Sequence, residues 1–170
     1  MVKPLANGFV ILYRIGILLI AFWLLNVFFV ACHEAGHALV ATAFGAKVLD
    51  IYINPLGLSG ATTHTVLPVY YQSDLVVCAG VISTTVITIL AFAARQELAV
   101  YVLALRTIES LINYSAGSDM AVMLDKFGYG TLAISAALVC IIVLMVSTTF
   151  YRCRITRNIA KIQVRNPNPT

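Results

Sequence analysis

Residues 33–37 read His33-Glu34-Ala35-Gly36-His37, an H-E-x-x-H pattern. On a helix, the i and i+4 spacing sets both imidazoles on one face, one turn apart, able to grip one metal ion. Glu34 sits beside that ion without needing to ligate it, and so can take a proton from a water the ion activates. The flanking sequence is apolar, through 15–31 on one side and 38–44 on the other. An acidic side chain at the centre of a membrane helix costs about 2.5–3.5 kcal/mol on translocon scales. Helix packing alone recovers none of that cost, so the pattern reads as a zinc site and not as a packing cluster.

Two histidines are too few, because a catalytic zinc takes three protein ligands and keeps a fourth position open. Asp50, His64, Asp74, Glu97, Glu109, Asp119 and Asp125 are the downstream candidates. Asp119 stands out because it follows Tyr114-Ser115-Ala116-Gly117-Ser118, a polar, glycine-containing interruption of an apolar run. Irregular backbone at membrane depth is tolerated only against protein or a water-filled cavity, and the Asp119 carboxylate can point into such a cavity. The competing role for Asp119 is an N-cap of the helix that follows. His64 is the second choice of ligand, although among threonines on a short strand it reads better as a solvated or substrate-side residue.

These residues need a scaffold, and the composition says of what kind. The chain has 170 residues, 61% hydrophobic and only 11% charged, whereas soluble domains average about 25% charged residues. A disordered chain, a collagen-like chain, a nucleic-acid-binding domain and a disulfide-stapled scaffold are excluded, and a polytopic membrane protein remains. A first helix is expected over 10–44, ending at Gly45. At 1.5 Å per residue it would be about 50 Å long, against a hydrocarbon core of about 30 Å, so it is not read as a cleaved signal. The β-branched run 48–53, the turn Asn54-Pro55-Leu56-Gly57 and the run 61–66 predict a small membrane-associated β-hairpin over about 46–67.

A second span is expected over 75–94. Residues 98–113 form an apolar helix carrying Arg106 and Glu109 at i,i+3, read as a packing ion pair. With the resumed run 119–124 this stretch is expected to make a further crossing, and 130–150 a last one. Residues 1–151 thus form a single polytopic membrane domain with its core at about 10–128, and 152–170 a basic, largely disordered tail. Arg152, Arg154, Arg157, Lys161 and Arg165 in that tail suggest a cytoplasmic end facing anionic lipid, most simply of the cell membrane. Cys32, Cys78, Cys140 and Cys153 form no C-x-x-C pair and give no redox compartment.

Over about residues 20–128 the chain resembles the site-2-protease-like family of intramembrane zinc metalloproteases. His33-Glu34-Ala35-Gly36-His37 matches that family's first motif in full, and Asn113-Tyr114-Ser115-Ala116-Gly117-Ser118-Asp119 matches its third. Ala79-Gly80 begins the second, where Val81 replaces a proline and Thr84 stands where an asparagine is usual. Met120 replaces the glycine after the aspartate, and no proline follows Asn113. The resemblance implies a membrane α-helical fold: a three-helix metalloprotease core plus one further transmembrane helix. It also implies Zn2+ held by His33, His37 and Asp119, with Glu34 as general base and Asn113 as a polar catalytic residue near the zinc. Either Asn113 or Thr84 would stabilise the oxyanion.

The expected activity is hydrolysis of peptide bonds in or near the transmembrane segments of membrane-protein substrates. The bilayer is then the one other partner, and nucleic acid is not expected. An extended substrate could pair with an edge of the hairpin, which would satisfy its freed backbone groups. The alternatives are a proteolytically silent zinc-binding scaffold and a metal-handling membrane protein. Glu34 argues against both, since neither has use for a general base.

Overall fold

The computed structural model describes residues 3–165, with side chains described for 8–159. Five helices and a two-stranded sheet follow in the order α1 (Lys3–Ala43), β1 (Val48–Ile53), β2 (Gly60–His64), α2 (Tyr70–Ala93), α3 (Glu97–Ile112), α4 (Asp119–Phe127) and α5 (Tyr129–Arg165). Three stretches are long and apolar enough to cross a bilayer: Gly8–Ala43, Tyr70–Ala93 and Tyr129–Ile159. The chain is a multi-pass membrane protein built on these three.

The further crossing expected over 98–124 is not a single helix. α3 has 16 residues, about 24 Å at 1.5 Å per residue, and α4 has 9. Between them the backbone leaves the helix at Asn113, whose side-chain Oδ1 accepts from Ser115 N at 3.1 Å and from Ser115 Oγ at 2.6 Å. That local competition for backbone groups is what asparagine and serine do in a turn, and Gly117 completes it at φ 85°.

α5 also departs from expectation. It continues past Phe150 to Arg165, so Arg152, Arg154 and Arg157 lie on a helix and not in a disordered tail. The physical reason is the absence of any glycine or proline between Thr131 and Arg165, so nothing stops the helix. The Asn-Pro repeat at 166–170 lies outside the described residues.

Three clusters join the helices, one of them Ala41, Ala46 and Val76 between the end of α1 and α2. Val81, Ala104, Leu111, Met120 and Ile142 bring α2, α3, α4 and α5 together. Phe29, Val30 and Leu103 join α1 to α3, with Ile53 of β1 and Ile87 of α2 against them. Buried hydroxyls supplement this packing: Thr88 Oγ1 and Thr107 Oγ1 lie 2.9 Å apart across the α2–α3 contact. α1 and α2 approach closely at Gly36, where an added Cβ would come within 2.6 Å of the Ala79 carbonyl oxygen. Small residues at such a crossing let the two backbones near each other.

The hairpin pairs antiparallel, from Val48↔His64 to Ile53↔Gly60, with an irregularity between Val48 and Asp50. It does not lie flat beside the bundle. After Gly45 the chain doubles back along α1, so its turn rests against the middle of the first span. A Cβ on Gly57 would lie 2.6 Å from Val27 N and 2.7 Å from Asn26 C, and Trp23 Nε1 donates to the Pro55 carbonyl at 2.8 Å. Trp23 thus anchors the hairpin turn.

Candidate metal centre

His33 and His37 project from one face of α1, as their spacing requires, with ring centroids 4.8 Å apart. Asp119 arrives from the start of α4. Its Oδ2 lies 2.9 Å from His33 Nε2 and 3.2 Å from His37 Nε2. Among the described residues, these three form a group able to hold a metal ion, with all ligand atoms within 4.8 Å of one another. Tetrahedral bonds of about 2.0–2.1 Å separate adjacent ligand atoms by about 3.3 Å, and the two Asp119–histidine separations lie near that value.

The tautomer supports a cation at this point. His37 Nδ1 lies 2.7 Å from the Val76 carbonyl oxygen, which can only accept, so Nδ1 carries the proton and donates. In the neutral ring Nε2 then holds a lone pair, and it faces a carboxylate oxygen. Two acceptors at that distance need a proton or a metal ion between them. The Nδ1–H to carbonyl bond is also the outer contact that orients a metal-binding histidine. His33 Nδ1 is buried with no hydrogen-bond partner. Space is reserved as well: a Cβ on Gly80 would come within 2.6 Å of His37 Cε1 and 2.7 Å of His33 Nε2. Gly80 of the partial second motif is therefore explained by clearance for the two rings. The donor set of two imidazoles and a carboxylate fits zinc.

Asp119 is not the helix cap. Ser118 takes that place, its Oγ accepting from Ala121 N at 3.2 Å, and this leaves the Asp119 carboxylate for the histidines. α4 is fixed at its far end by the ion pair between Lys126 and Asp74 of α2, with the Lys126 ammonium 4.5 Å over the Tyr70 ring.

Glu34 is buried at 5% exposure and is held by β2. Thr62 Oγ1 lies 2.7 Å from Glu34 Oε2, and a Cβ on Gly60 would lie 2.6 Å from Glu34 Oε1. Both the three-residue group and Glu34 line one cleft of about 470 Å³, walled by residues 58–62 of the hairpin, by α1, by Arg106, Glu109 and Ser110 of α3, and by Asn113 just beyond it.

The other candidates fall elsewhere. His64 lines the cleft mouth, but its Nδ1 lies 2.8 Å from the Thr65 carbonyl and it is outside the three-residue group. Asp50, Glu97 and Asp125 are exposed, while Asp74 and Glu109 are paired with Lys126 and Arg106. Asn113 is exposed and lines the cleft. Thr84 is buried, with its hydroxyl turned to the carbonyls of Gly80 and Val81 at 3.2 and 3.0 Å, because a threonine inside an apolar helix satisfies its hydroxyl on the preceding turn. It takes no part in the cleft. Thr62 and Gly60 carry no signal in the sequence beyond lying on a strand, and their relation to Glu34 emerges only from the fold.

Comparison with protein-family profiles, with curated proteins and with solved structures finds no match to any of them. The site and the three spans therefore carry the classification themselves: a membrane protein with a buried metal-binding His/His/Asp group.

Proposed function

We propose that this chain is an intramembrane zinc endopeptidase of the site-2-protease-like family, hydrolysing peptide bonds in or near transmembrane segments. The observation that carries this reading is the convergence of His33, His37 and Asp119 on one point of a cleft that Glu34 also lines. Zinc bound there supplies Lewis acidity, lowering the pKa of water and polarising a carbonyl.

The chain's own groups do the rest. Glu34, oriented by Thr62, accepts the proton of the attacking water. The water oxygen adds to the scissile carbonyl carbon, and Glu34 returns the proton to the leaving amine as the C–N bond breaks. Asn113, which lines the same cleft, is the candidate donor to the developing oxyanion. An extended substrate segment laid along β2 would find backbone partners there once its own helical bonds were broken.

A silent scaffold has no need of a carboxylate held beside the metal ligands in an open cleft, and a carrier would spread its ligands along a path. Metal analysis of the purified protein, combined with cleavage of a model transmembrane substrate, tests the proposal. About one zinc per chain and cleavage that Glu34→Ala abolishes are expected. Undiminished cleavage by Glu34→Ala at equal zinc content would overturn the assignment of the base.

A further inference from the structure

Arg106 has no part in the chemistry above, yet it is a guanidinium placed between the spans, with its side chain only 14% exposed. Charges at such depth are retained where they do something specific. Arg106 Nη1 pairs with Glu109 Oε2 at 2.5 Å. Its Nη2 lies 3.2 Å from the Gly57 carbonyl oxygen and 3.4 Å from that of Leu58. The guanidinium carbon lies 5.6 Å over the Phe29 ring of α1. One side chain of α3 therefore touches α1 and the hairpin turn together.

The turn needs that donor. It closes on itself through Asn54 N–H to Ser59 O at 2.9 Å and Gly57 N–H to Asn54 O at 2.8 Å. This leaves the Gly57 and Leu58 carbonyls pointing away. At membrane depth such carbonyls must be met by protein or by water of the cleft, and Arg106 is the protein donor that reaches both. Two residues beyond Leu58 begins β2, which holds Glu34 through Gly60 and Thr62.

We propose that Arg106 is a positioning residue: by capping the Gly57 and Leu58 carbonyls it holds the hairpin turn at membrane depth and so holds β2 against Glu34. It acts through the hairpin and touches neither the metal ligands nor the reacting atoms. Arg106 is better suited than lysine, because a planar fork serves two carbonyls and a carboxylate at once. The proposal rests on Glu34 as general base only for its effect on rate; its effect on the hairpin stands apart from that reading.

The test uses the full chain in lipid vesicles, as Arg106→Gln and Arg106→Lys, each alone and with Leu58→Cys. Labelling of the cysteine at 58 by a membrane-impermeant maleimide, corrected for the native cysteines, should be at least about threefold faster in Arg106→Gln. Zinc content should stay at the wild-type level in both variants. Cleavage should lose about tenfold to a hundredfold in kcat with KM changed less than about threefold, since small misplacements of a catalytic group cost on this scale. Arg106→Lys should fall between wild type and Arg106→Gln in both readouts, which also serves if Arg106→Gln fails to accumulate. Wild-type labelling in both variants would overturn the proposal, and so would a lysine variant no better than glutamine. If the wild type cleaves nothing, the hydrolase reading fails, while labelling still decides whether Arg106 holds the hairpin.

Discussion

Thr62 Oγ1 lies 2.7 Å from the Glu34 carboxylate and 3.1 Å from the Glu34 carbonyl oxygen. A single strand hydroxyl thus grips both ends of the same residue. This fixes the carboxylate's direction on a helix whose neighbouring turns carry the two histidines. Thr62→Val keeps the shape and removes the grip. Because hydrogen bonds to charged groups contribute about 1.5–3 kcal/mol, kcat for a model substrate should fall by about tenfold or more, with zinc content unchanged. Equal kcat would separate Thr62 from catalysis.

Glu34→Gln should retain metal and lose activity by about 10²–10⁴-fold, the usual contribution of a positioned acid–base group. Metal analysis run beside the kinetics distinguishes loss of the base from loss of the site.

Asp119→Asn and His37→Ala should each lower metal affinity by well over the 10–100-fold typical of outer contacts, because each removes a ligand outright. Asp119→Asn keeps the size and one acceptor oxygen while removing the negative charge. Zinc retained at equal affinity in this variant would rule the carboxylate out as third ligand. Titration with a competing chelator reads both.

Gly80→Ala should damage metal binding although alanine favours helices. The new methyl would press on His33 and His37. Gly130→Ala is the control, since an added Cβ there meets nothing within 4 Å. It should leave metal affinity as it is.

Thr88→Val and Thr107→Val each break the buried hydroxyl pair, while the hydroxyl that remains keeps its carbonyl partner on the preceding turn. Each alone should lower stability, and the double variant should be less damaged than the sum, with a coupling of about 0.6–1.7 kcal/mol as found for hydrogen bonds between membrane helices. Reversible unfolding in detergent or bicelles measures the cycle.

The legible parts of this molecule are those governed by short-range rules. The spacing of His33 and His37 sets both rings on one face of a helix wherever that helix goes. The extent of β1, the C-terminal ends of α1 and α2 and the break before Asp119 follow from local chemistry in the same way, whereas α1 and α2 both begin several residues earlier than their apolar runs suggest. What the sequence hides is set by distance along the chain. Ser118, not Asp119, caps α4, a choice between adjacent side chains that depends on the histidines 86 and 82 residues away (119 − 33 and 119 − 37). Gly80 looks like half a motif until the rings it clears are in place. The return of the hairpin along α1, and so the meeting of Thr62 with Glu34, rests on tertiary packing that no strand propensity encodes.

The return of the hairpin bears on how the protein is made. At a synthesis rate of about 5–20 residues per second, the 28 residues from Glu34 to Thr62 (62 − 34) take roughly 1–6 s. Arg106 follows Gly57 by 49 residues, roughly 2–10 s later at the same rate. During that interval the turn has α1 to lean on and no donor for its carbonyls. The hairpin should settle at depth only once α3 has entered the bilayer, so a newly made chain is born without its working cleft.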